Sequence, residues 1–271
     1  MQLPTMIAMA LYAAGTLWFW QRIQQIRLSS SDEFPRRYVP ILAGWGAVIF
    51  HCWLLGHAIL VDGKLNLALG NVVSLVSLMT VVVFLLATLT RDIVNLGLFV
   101  MPVGIFGLFV GQFLAGSPLL IENASPLLWW HLGVALLAFG FLCMAAAQAV
   151  VLYIQDRHLH KHKTGSLLPA LPAIQTMEQS LFRLTLIGVV LLTANLVIGA
   201  YYLYDQIGRK LEFNHHILLS FVAWLGFTAL LAGHRIYGWR GETAARWTLA
   251  AFFVLNLAYF GTRFVTTIIL S

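Results

Sequence analysis

Long apolar segments alternate with short polar ones along the whole chain. Apolar spans are predicted at 3–20, 39–61, 67–89, 93–114, 127–154, 181–204, 215–233 and 246–269. Each has at least the roughly 17 residues that an α-helix needs to cross the hydrocarbon core of a bilayer. The polar intervals leave no room for a soluble domain of appreciable size. We therefore expect an all-α polytopic integral membrane protein with about eight transmembrane helices, in which residues 1–271 form a single transmembrane domain.

The composition agrees with this prediction. Hydrophobic residues make up 60% of the chain and charged residues 10%, whereas soluble domains carry roughly 25% charged residues. A soluble helical bundle is therefore excluded. The two cysteines, Cys52 and Cys143, lie in apolar spans and form no CxxC, which excludes a disulfide framework and a thiolate metal cluster built within the chain. They are interpreted as small buried apolar residues.

The distribution of basic residues predicts the orientation in the membrane. No Lys or Arg precedes the first span, and Arg22 and Arg27 follow it, which is the reverse of a cleaved signal peptide. We therefore expect a retained first helix whose N-terminus lies outside the cytoplasm. Alternation from there puts twelve of the sixteen bases inside, and the outside set is Lys64, Arg209, Lys210 and Arg263. This asymmetry is what the positive-inside rule predicts, and it puts both termini outside the cytoplasm. It also accounts for the charge of +6 without nucleic-acid binding.

Three histidines are expected near one level at the outer side of the membrane. At 1.5 Å of rise per residue, His57 and His131 lie roughly 6 Å below the outer edge of their spans, and His216 roughly 3 Å below it. His215 lies at the edge. Imidazole can ligate iron, copper or zinc, and two imidazoles from different helices can clamp a haem from both faces. The alternative is that each histidine is a hydrogen-bonding or interfacial residue.

Two other histidines lie at different depths. His51 is near mid-membrane, and it points in a different direction from His57 because six positions correspond to about 240° around a helix. His234 is five turns beyond His216 and lies about 27 Å lower, at the inner interface. His51 therefore needs another partner or an open coordination position. The remaining histidines, His158, His160 and His162, are interpreted as part of a solvated inner loop.

Aromatic and basic residues flank the outer histidines. Trp130 directly precedes His131, and Trp224 follows His216 by about two turns. These tryptophans are either part of the interfacial aromatic belt or a platform for a porphyrin face. Arg263, in the outer part of the last span, either snorkels to the headgroups or neutralises a carboxylate such as a haem propionate.

Several stretches of the chain resemble a known family. They are "PLLWWHLGVALLAFGFLCMAAAQAVVLYIQDRHL" (126–159), "NHHILLSFVAWLGFTALLAGHRIYGWRGETAARWTLAAFFVLNLAYFGTRF" (214–264) and "FHCWLLGH" in the second span. The His-then-Ser-x-x-x-Trp pattern, the "GWRG" inner turn and the "YFG" near the end carry the likeness. Together they resemble cytochrome c assembly proteins of the CcsA/CcmC/HemX type over about residues 40–270.

The resemblance implies haem-handling chemistry at particular residues. His131 and His216 (or His215) match the external histidine pair of the family, and His51 matches a transmembrane histidine. The Trp-rich external motif of the cytochrome c synthetases is missing from 115–126, "AGSPLLIENASP". The chain therefore resembles the shorter eight-helix, HemX-like branch.

From the histidines and the resemblance together, we expect a multi-pass protein of the bacterial cytoplasmic (inner) membrane that binds haem b at its outer face and acts in cytochrome c maturation or haem delivery, rather than an enzyme. His131 and His216 would be the axial ligands, with Trp130 and Trp224 lining the ring and Arg263 facing a propionate. The expected partners are haem, membrane lipid, and other cytochrome c maturation proteins or an apocytochrome. Two rival interpretations are a b-type cytochrome or quinone-linked electron-transfer subunit, and a membrane assembly factor without a cofactor.

Overall fold

The chain folds into α-helices joined by short turns. The computed structural model describes residues 2–28, 39–89, 96–114, 116–122, 124–160, 173–207 and 215–261. Over these residues there are eight α-helices: α1 (Gln2–Leu28), α2 (Val39–Ile59), α3 (Leu69–Thr88), α4 (Gly97–Phe113), α5 (Pro126–His160), α6 (Ile174–Ile207), α7 (His215–Tyr237) and α8 (Gly241–Asn256). A π-helical turn, Leu257–Gly261, directly follows α8. Six helices are long and apolar enough to cross a membrane, namely α1, α2, α3, α5, α6 and α7, and α4 is a shorter apolar helix. The prediction of an all-α polytopic membrane protein is confirmed.

The helix ends differ from the predicted spans where polar residues continue a helix. The α5 helix has 35 residues and α6 has 34, both longer than the predicted apolar spans. The residues that extend them include Gln and Glu, which favour helix as well as most apolar residues do. The α8 helix begins five residues before the predicted span, with Glu242 in its first turn, where a carboxylate is stabilised by the helix dipole.

The residues fall into two compact units. The first unit comprises Met1–Leu120 and Arg157–Ala173, and the second comprises Ile121–Asp156 and Ile174–Ser271. The expectation of one transmembrane domain over residues 1–271 stays a prediction.

In the first unit, α1 packs against α2 and α4, and α3 packs against the same two helices. Glycines on α4 allow the closest approaches. A Cβ added to Gly104 would lie 2.9 Å from the ring of Tyr12 on α1. On the α3 side, a Cβ added to Gly107 would overlap Ser77, and one added to Gly111 would lie 2.9 Å from Ser74 Cβ. These three glycines therefore form a small face that allows close helix packing. Cys52, by contrast, is exposed on α2, so its predicted burial is wrong.

A short hairpin joins α2 to α3. Strands β1 (Leu60–Val61) and β2 (Lys64–Asn66) pair in antiparallel fashion, and β3 (Leu120–Ile121) is the third strand of the sheet. The two turn residues, Asp62 and Gly63, have φ values of 51° and 74°, as the tight turns of two-residue hairpins require.

In the second unit, α7 packs against α6 and α8, and the π-helical turn contacts both α7 and α8. The α5 helix joins this group through large side chains. The Phe139 ring lies 5.4 Å from Phe252 and 5.9 Å from Tyr259. Leu142 of α5 also fills the space over Gly188 of α6, because a Cβ added to Gly188 would lie 2.5 Å from a Leu142 methyl group.

The turn between α7 and α8 contains the "GWRG" sequence and is tied to α5 and α6. Gly238 and Gly241 have φ values of 67° and 52°, a left-handed conformation that favours glycine. The Gly241 N–H donates to Glu178 Oε1 (2.7 Å), and the next N–H donates to Asp156 Oδ2 (2.9 Å). Carboxylates from two other helices therefore cap the positive end of α8.

Candidate functional site

The second unit contains a largely apolar cavity of about 360 Å³, within the size range of small-molecule sites (roughly 300–1,000 Å³). Its walls come from α5, α6, α7, α8 and the π-helical turn. The lining residues are Leu128, His131, Leu192, Asn195, Leu196, Gly199, Ala200, Tyr202, Leu203, His216, Ile217, Ser220, Leu255 and Tyr259. The cavity is therefore built from segments that are far apart in sequence.

His131 lies in the second turn of α5 and faces α6. A Cβ built on Gly199 would lie 2.9 Å from His131 Cε1, 3.3 Å from Nδ1 and 4.0 Å from Nε2. The absence of a side chain at Gly199 therefore makes room for the ring. Of the two ring nitrogens, Nε2 lies farther from Gly199 than Nδ1 does. Nδ1 is buried and lies near the Asn195 backbone. It forms no hydrogen bond of good geometry with that backbone or with any other group among the described residues. Such an orphaned buried nitrogen is uncommon.

His216 lies in the first turn of α7 and lines the same cavity. Its side chain is exposed, and its ring lies 5.9 Å from the ring of Tyr259 at an angle of 55°. The structure thus brings together the two histidines that the sequence singled out. The side chain of His215 falls outside the described residues.

The cavity also contains polar groups that the sequence interpretation missed. Asn195 is 8% exposed, and its Oδ1 has no hydrogen-bond partner among the described residues. Ser220 and Tyr259 also line the cavity. A few convergent polar groups in an otherwise apolar cavity are typical of ligand sites. Asn195 could have been found from sequence, because it is the one amide in the apolar span 181–204.

The two tryptophans predicted to line the ring lie elsewhere. Trp130 is 71% exposed, and Trp224 donates from Nε1 to Thr193 Oγ1 at 2.8 Å. The described lining of the cavity includes neither tryptophan. Trp130 is one position from His131 and is therefore turned about 100° around the helix. Arg263 lies outside the described residues, and its expected role stays a prediction.

His51 belongs to the first unit and lies in a buried hydrogen-bonded cluster. It is fully buried, at 0% exposure. Its Nε2 shares a hydrogen bond with Ser74 Oγ (2.8 Å), and its Nδ1 shares one with the Tyr12 hydroxyl (3.2 Å). Both ring nitrogens are therefore engaged, and a metal ion would have to replace one of these partners.

Two further histidines bond to backbone carbonyls. Nδ1–H of His57 donates to the Trp53 carbonyl of its own helix, and Nδ1–H of His234 donates to the Trp239 carbonyl, both at 2.9 Å. Among the described residues, no group of three or more His, Cys, Asp or Glu side chains is arranged to hold a metal ion. Any metal chemistry in the described region would thus rest on one or two histidines together with a ligand that brings its own donors.

Comparison with known proteins gives matches over most of the chain. A family model described as "Cytochrome C assembly protein" matches residues 41–270. "Inner membrane protein YpjD" of Escherichia coli is 33% identical over 239 residues, which cover 86% of this chain and 88% of that protein. "Protein HemX" of Bacillus subtilis is 29% identical over 139 residues, 51% of this chain and 50% of that protein.

A match to a third kind of protein covers a smaller share of the relative. "Cytochrome c biogenesis protein CcsA" of Prochlorococcus marinus is 26% identical over 158 residues, 58% of this chain and 46% of that protein. No solved structure matches the chain.

Proposed function

We propose that this chain, which belongs to the cytochrome c assembly protein family, binds haem b in the cavity of the second unit, with His131 and His216 as axial ligands of the iron. It is a multi-pass inner-membrane protein with a role in cytochrome c maturation or haem handling. The observation that carries the proposal is that histidines from two separate helices line one apolar cavity.

The chemistry of the lining residues fits a haem. Neutral imidazole is a common axial ligand of haem iron, and apolar walls suit the porphyrin faces. In such sites one ring nitrogen binds the iron while the other is held by a hydrogen bond. Because Nδ1 of His131 faces Gly199 and the Asn195 backbone, Nε2 is the nitrogen that we assign to the iron. A small shift of the ring would let the Asn195 carbonyl accept from Nδ1–H.

The base distribution supports an outer location for this site. His131 and His216 lie near the N-terminal ends of α5 and α7, and these ends lie outside the cytoplasm in the orientation predicted from the sixteen bases. Arg263 remains our candidate for the partner of a propionate. The haem is the cargo that such a site would hold for delivery to another maturation protein or to an apocytochrome.

Haem uptake by the purified protein tests the proposal. The full-length chain in mild detergent is titrated with hemin, and the Soret band and its titration curve are recorded. His131→Ala and His216→Ala should each lose most of the bound haem, because each removes one of two iron ligands. Free imidazole added to His131→Ala should restore part of the wild-type spectrum. His57→Ala is the matched control, because His57 is an exposed histidine bonded within its own helix.

The result that contradicts the proposal is equally clear. If the double variant His131→Ala/His216→Ala binds hemin as tightly as wild type, with an unchanged Soret maximum, the cavity histidines are not the ligands. A thermal melting curve for each variant separates loss of a ligand from loss of the fold.

A further inference from the structure

The second unit carries exposed arginines at the end opposite the cavity. They are Arg183 on α6, Arg235 on α7 and Arg240 in the turn before α8. The α7 helix begins beside the cavity, and its 23 residues span roughly 34 Å. This is close to the thickness of a bilayer's hydrocarbon core. The three arginines therefore lie at the other membrane surface from His216.

A stacked pair of rings holds α6 and α7 together next to two of these arginines. Phe182 of α6 and His234 of α7 are stacked, with ring centroids 3.6 Å apart and an angle of 17°. Arg183 directly follows Phe182, and Arg235 directly follows His234. The contact fixes the spacing of α6 and α7 at this level and thus the spacing of the two arginine backbones.

Hydrogen bonds on both sides fix the position of the third arginine. The carbonyl of Trp239 accepts from Nδ1–H of His234, and the N–H of Gly241 donates to Glu178. Arg240 lies between these two fixed residues. Its backbone is therefore held against both α6 and α7.

The nearby carboxylates are already engaged by other groups. Glu178 accepts from the Gly241 N–H, Asp156 accepts from the Glu242 N–H, and Glu242 pairs with Arg246 at 2.6 Å. Among the described residues, Arg183, Arg235 and Arg240 have no carboxylate within ion-pair distance. The three guanidinium groups thus form no ion pair with the described part of the chain, and they outnumber the two nearby carboxylates, of Glu178 and Asp156, that accept from backbone N–H groups.

Aromatic rings adjoin these charges. Trp239 stacks on Trp247 with centroids 5.1 Å apart and an angle of 22°, and Tyr237 stacks on Trp239 at 6.3 Å. Tyr237 is 75% exposed. Tryptophan and tyrosine in such positions are typical of the headgroup level of a membrane.

We propose that Arg183, Arg235 and Arg240 form a binding site for the phosphate of an anionic phospholipid, with the Trp239–Trp247 pair beside its glycerol and upper acyl chains. The planar guanidinium suits two oxygens of one phosphate. Basic clusters at the cytoplasmic ends of transmembrane helices attract anionic lipids. A lipid is the occupant because the arginines and the rings lie where the headgroups of the bilayer are.

Native mass spectrometry of the full-length, detergent-solubilised chain tests this site. The protein is titrated with phosphatidylglycerol or with phosphatidylcholine, and the lipid-bound fraction is measured. Wild type should bind phosphatidylglycerol in preference. The double variant Arg235→Gln/Arg240→Gln should bind it about 30-fold more weakly, because each basic residue near an anionic lipid contributes about fivefold to the affinity. Binding of phosphatidylcholine should not change.

The matched control is Arg246→Gln made together with Glu242→Gln, which removes an exposed arginine of the same end along with the carboxylate that it pairs with and so leaves the net charge unchanged. This control should bind phosphatidylglycerol as tightly as wild type does. His131→Ala should do so too, because His131 lines the cavity at the opposite end of the unit. Equal binding of the two lipids by wild type overturns the proposal, and so does an equal loss in Arg246→Gln/Glu242→Gln. Competition by soluble glycerol phosphate at the concentration of the lipid would also overturn it, because the site would then accept any organic phosphate.

Discussion

His131 and His216 come from separate helices and line one cavity, and the proposed haem site depends on this pair. Their depth follows from counting residues from the span ends, and the structure lines one cavity with both. Trp130 was expected beside them because it is adjacent in sequence, but adjacency along a helix means a rotation of about 100°. Tyr259, which lies against His216, comes from a segment more than forty residues away. Such a pairing is set by helix packing and leaves no local pattern.

Gly199 makes a prediction about the ring of His131. In Gly199→Ala the new Cβ would lie 2.9 Å from Cε1, so the imidazole must move away from α6. Overpacking of this kind costs about 1–3 kcal/mol of stability. We expect a lower melting temperature and weaker hemin binding, measured by thermal denaturation and absorption titration.

Gly133→Ala serves as its control. Gly133 lies on the same helix as His131, and a Cβ there meets nothing within 4 Å among the described residues. The same chemical change should therefore leave both measurements near those of wild type. If Gly199→Ala also behaves like wild type, the ring of His131 is not packed against this glycine.

The helices themselves were largely predictable, because a bilayer demands long apolar segments and satisfies every backbone group within a helix. The ends of the helices were less predictable, because α5 and α6 continue into polar sequence beyond the hydrocarbon core. The glycines of α4 allow close helix packing. The approach of Ser77 follows from the succession of α3 and α4 along the chain, but the approach of Tyr12 was not predictable, because α1 lies three helices before α4.

Gly107 offers the sharpest test of the packing between α3 and α4. In Gly107→Ala the Cβ would overlap the side chain of Ser77, and the two helices would have to separate. We expect a clear drop in the thermal midpoint in detergent, of the size that overpacking by about 1–3 kcal/mol produces.

A second substitution can restore the packing. Ser77→Gly in the same chain removes the overlapping atoms, and the nearest remaining atom then lies 3.4 Å away. The double variant should therefore be more stable than Gly107→Ala alone. Gly56→Ala, at a position with open space, should resemble wild type. If Gly107→Ala is as stable as wild type and the double variant Gly107→Ala/Ser77→Gly is less stable, Gly107 does not pack against Ser77.

The placement of the whole chain in the membrane follows from the loops. Composition alone identified a multi-pass membrane protein, and the relative named as an inner-membrane protein agrees with it. Orientation rests on a different physical cause, which is the retention of basic loops in the cytoplasm. The helices pack in the same way in either orientation, so the predicted orientation rests on the positions of Lys and Arg.

Reporter fusions to the full chain measure the orientation. Alkaline phosphatase, which is active only outside the cytoplasm, should be active when fused after Ser271 and inactive when inserted after Lys163, beyond the end of α5. A cytoplasmic reporter such as green fluorescent protein should give the opposite result at the same two sites. An active phosphatase after Lys163 would show the inverted topology, with the cavity on the cytoplasmic side.

The π-helical turn Leu257–Gly261 has a consequence for how this end of the chain tolerates insertions and deletions. A π-turn accommodates one residue more than an α-helical turn. Deleting one residue between Leu257 and Tyr259 would restore regular winding but would swing the phenol by about 100°, away from the imidazole that it now faces. A change that leaves the composition of the membrane segment almost untouched would thus alter one wall of the cavity, whereas the same deletion in a surface loop would merely shorten a connection.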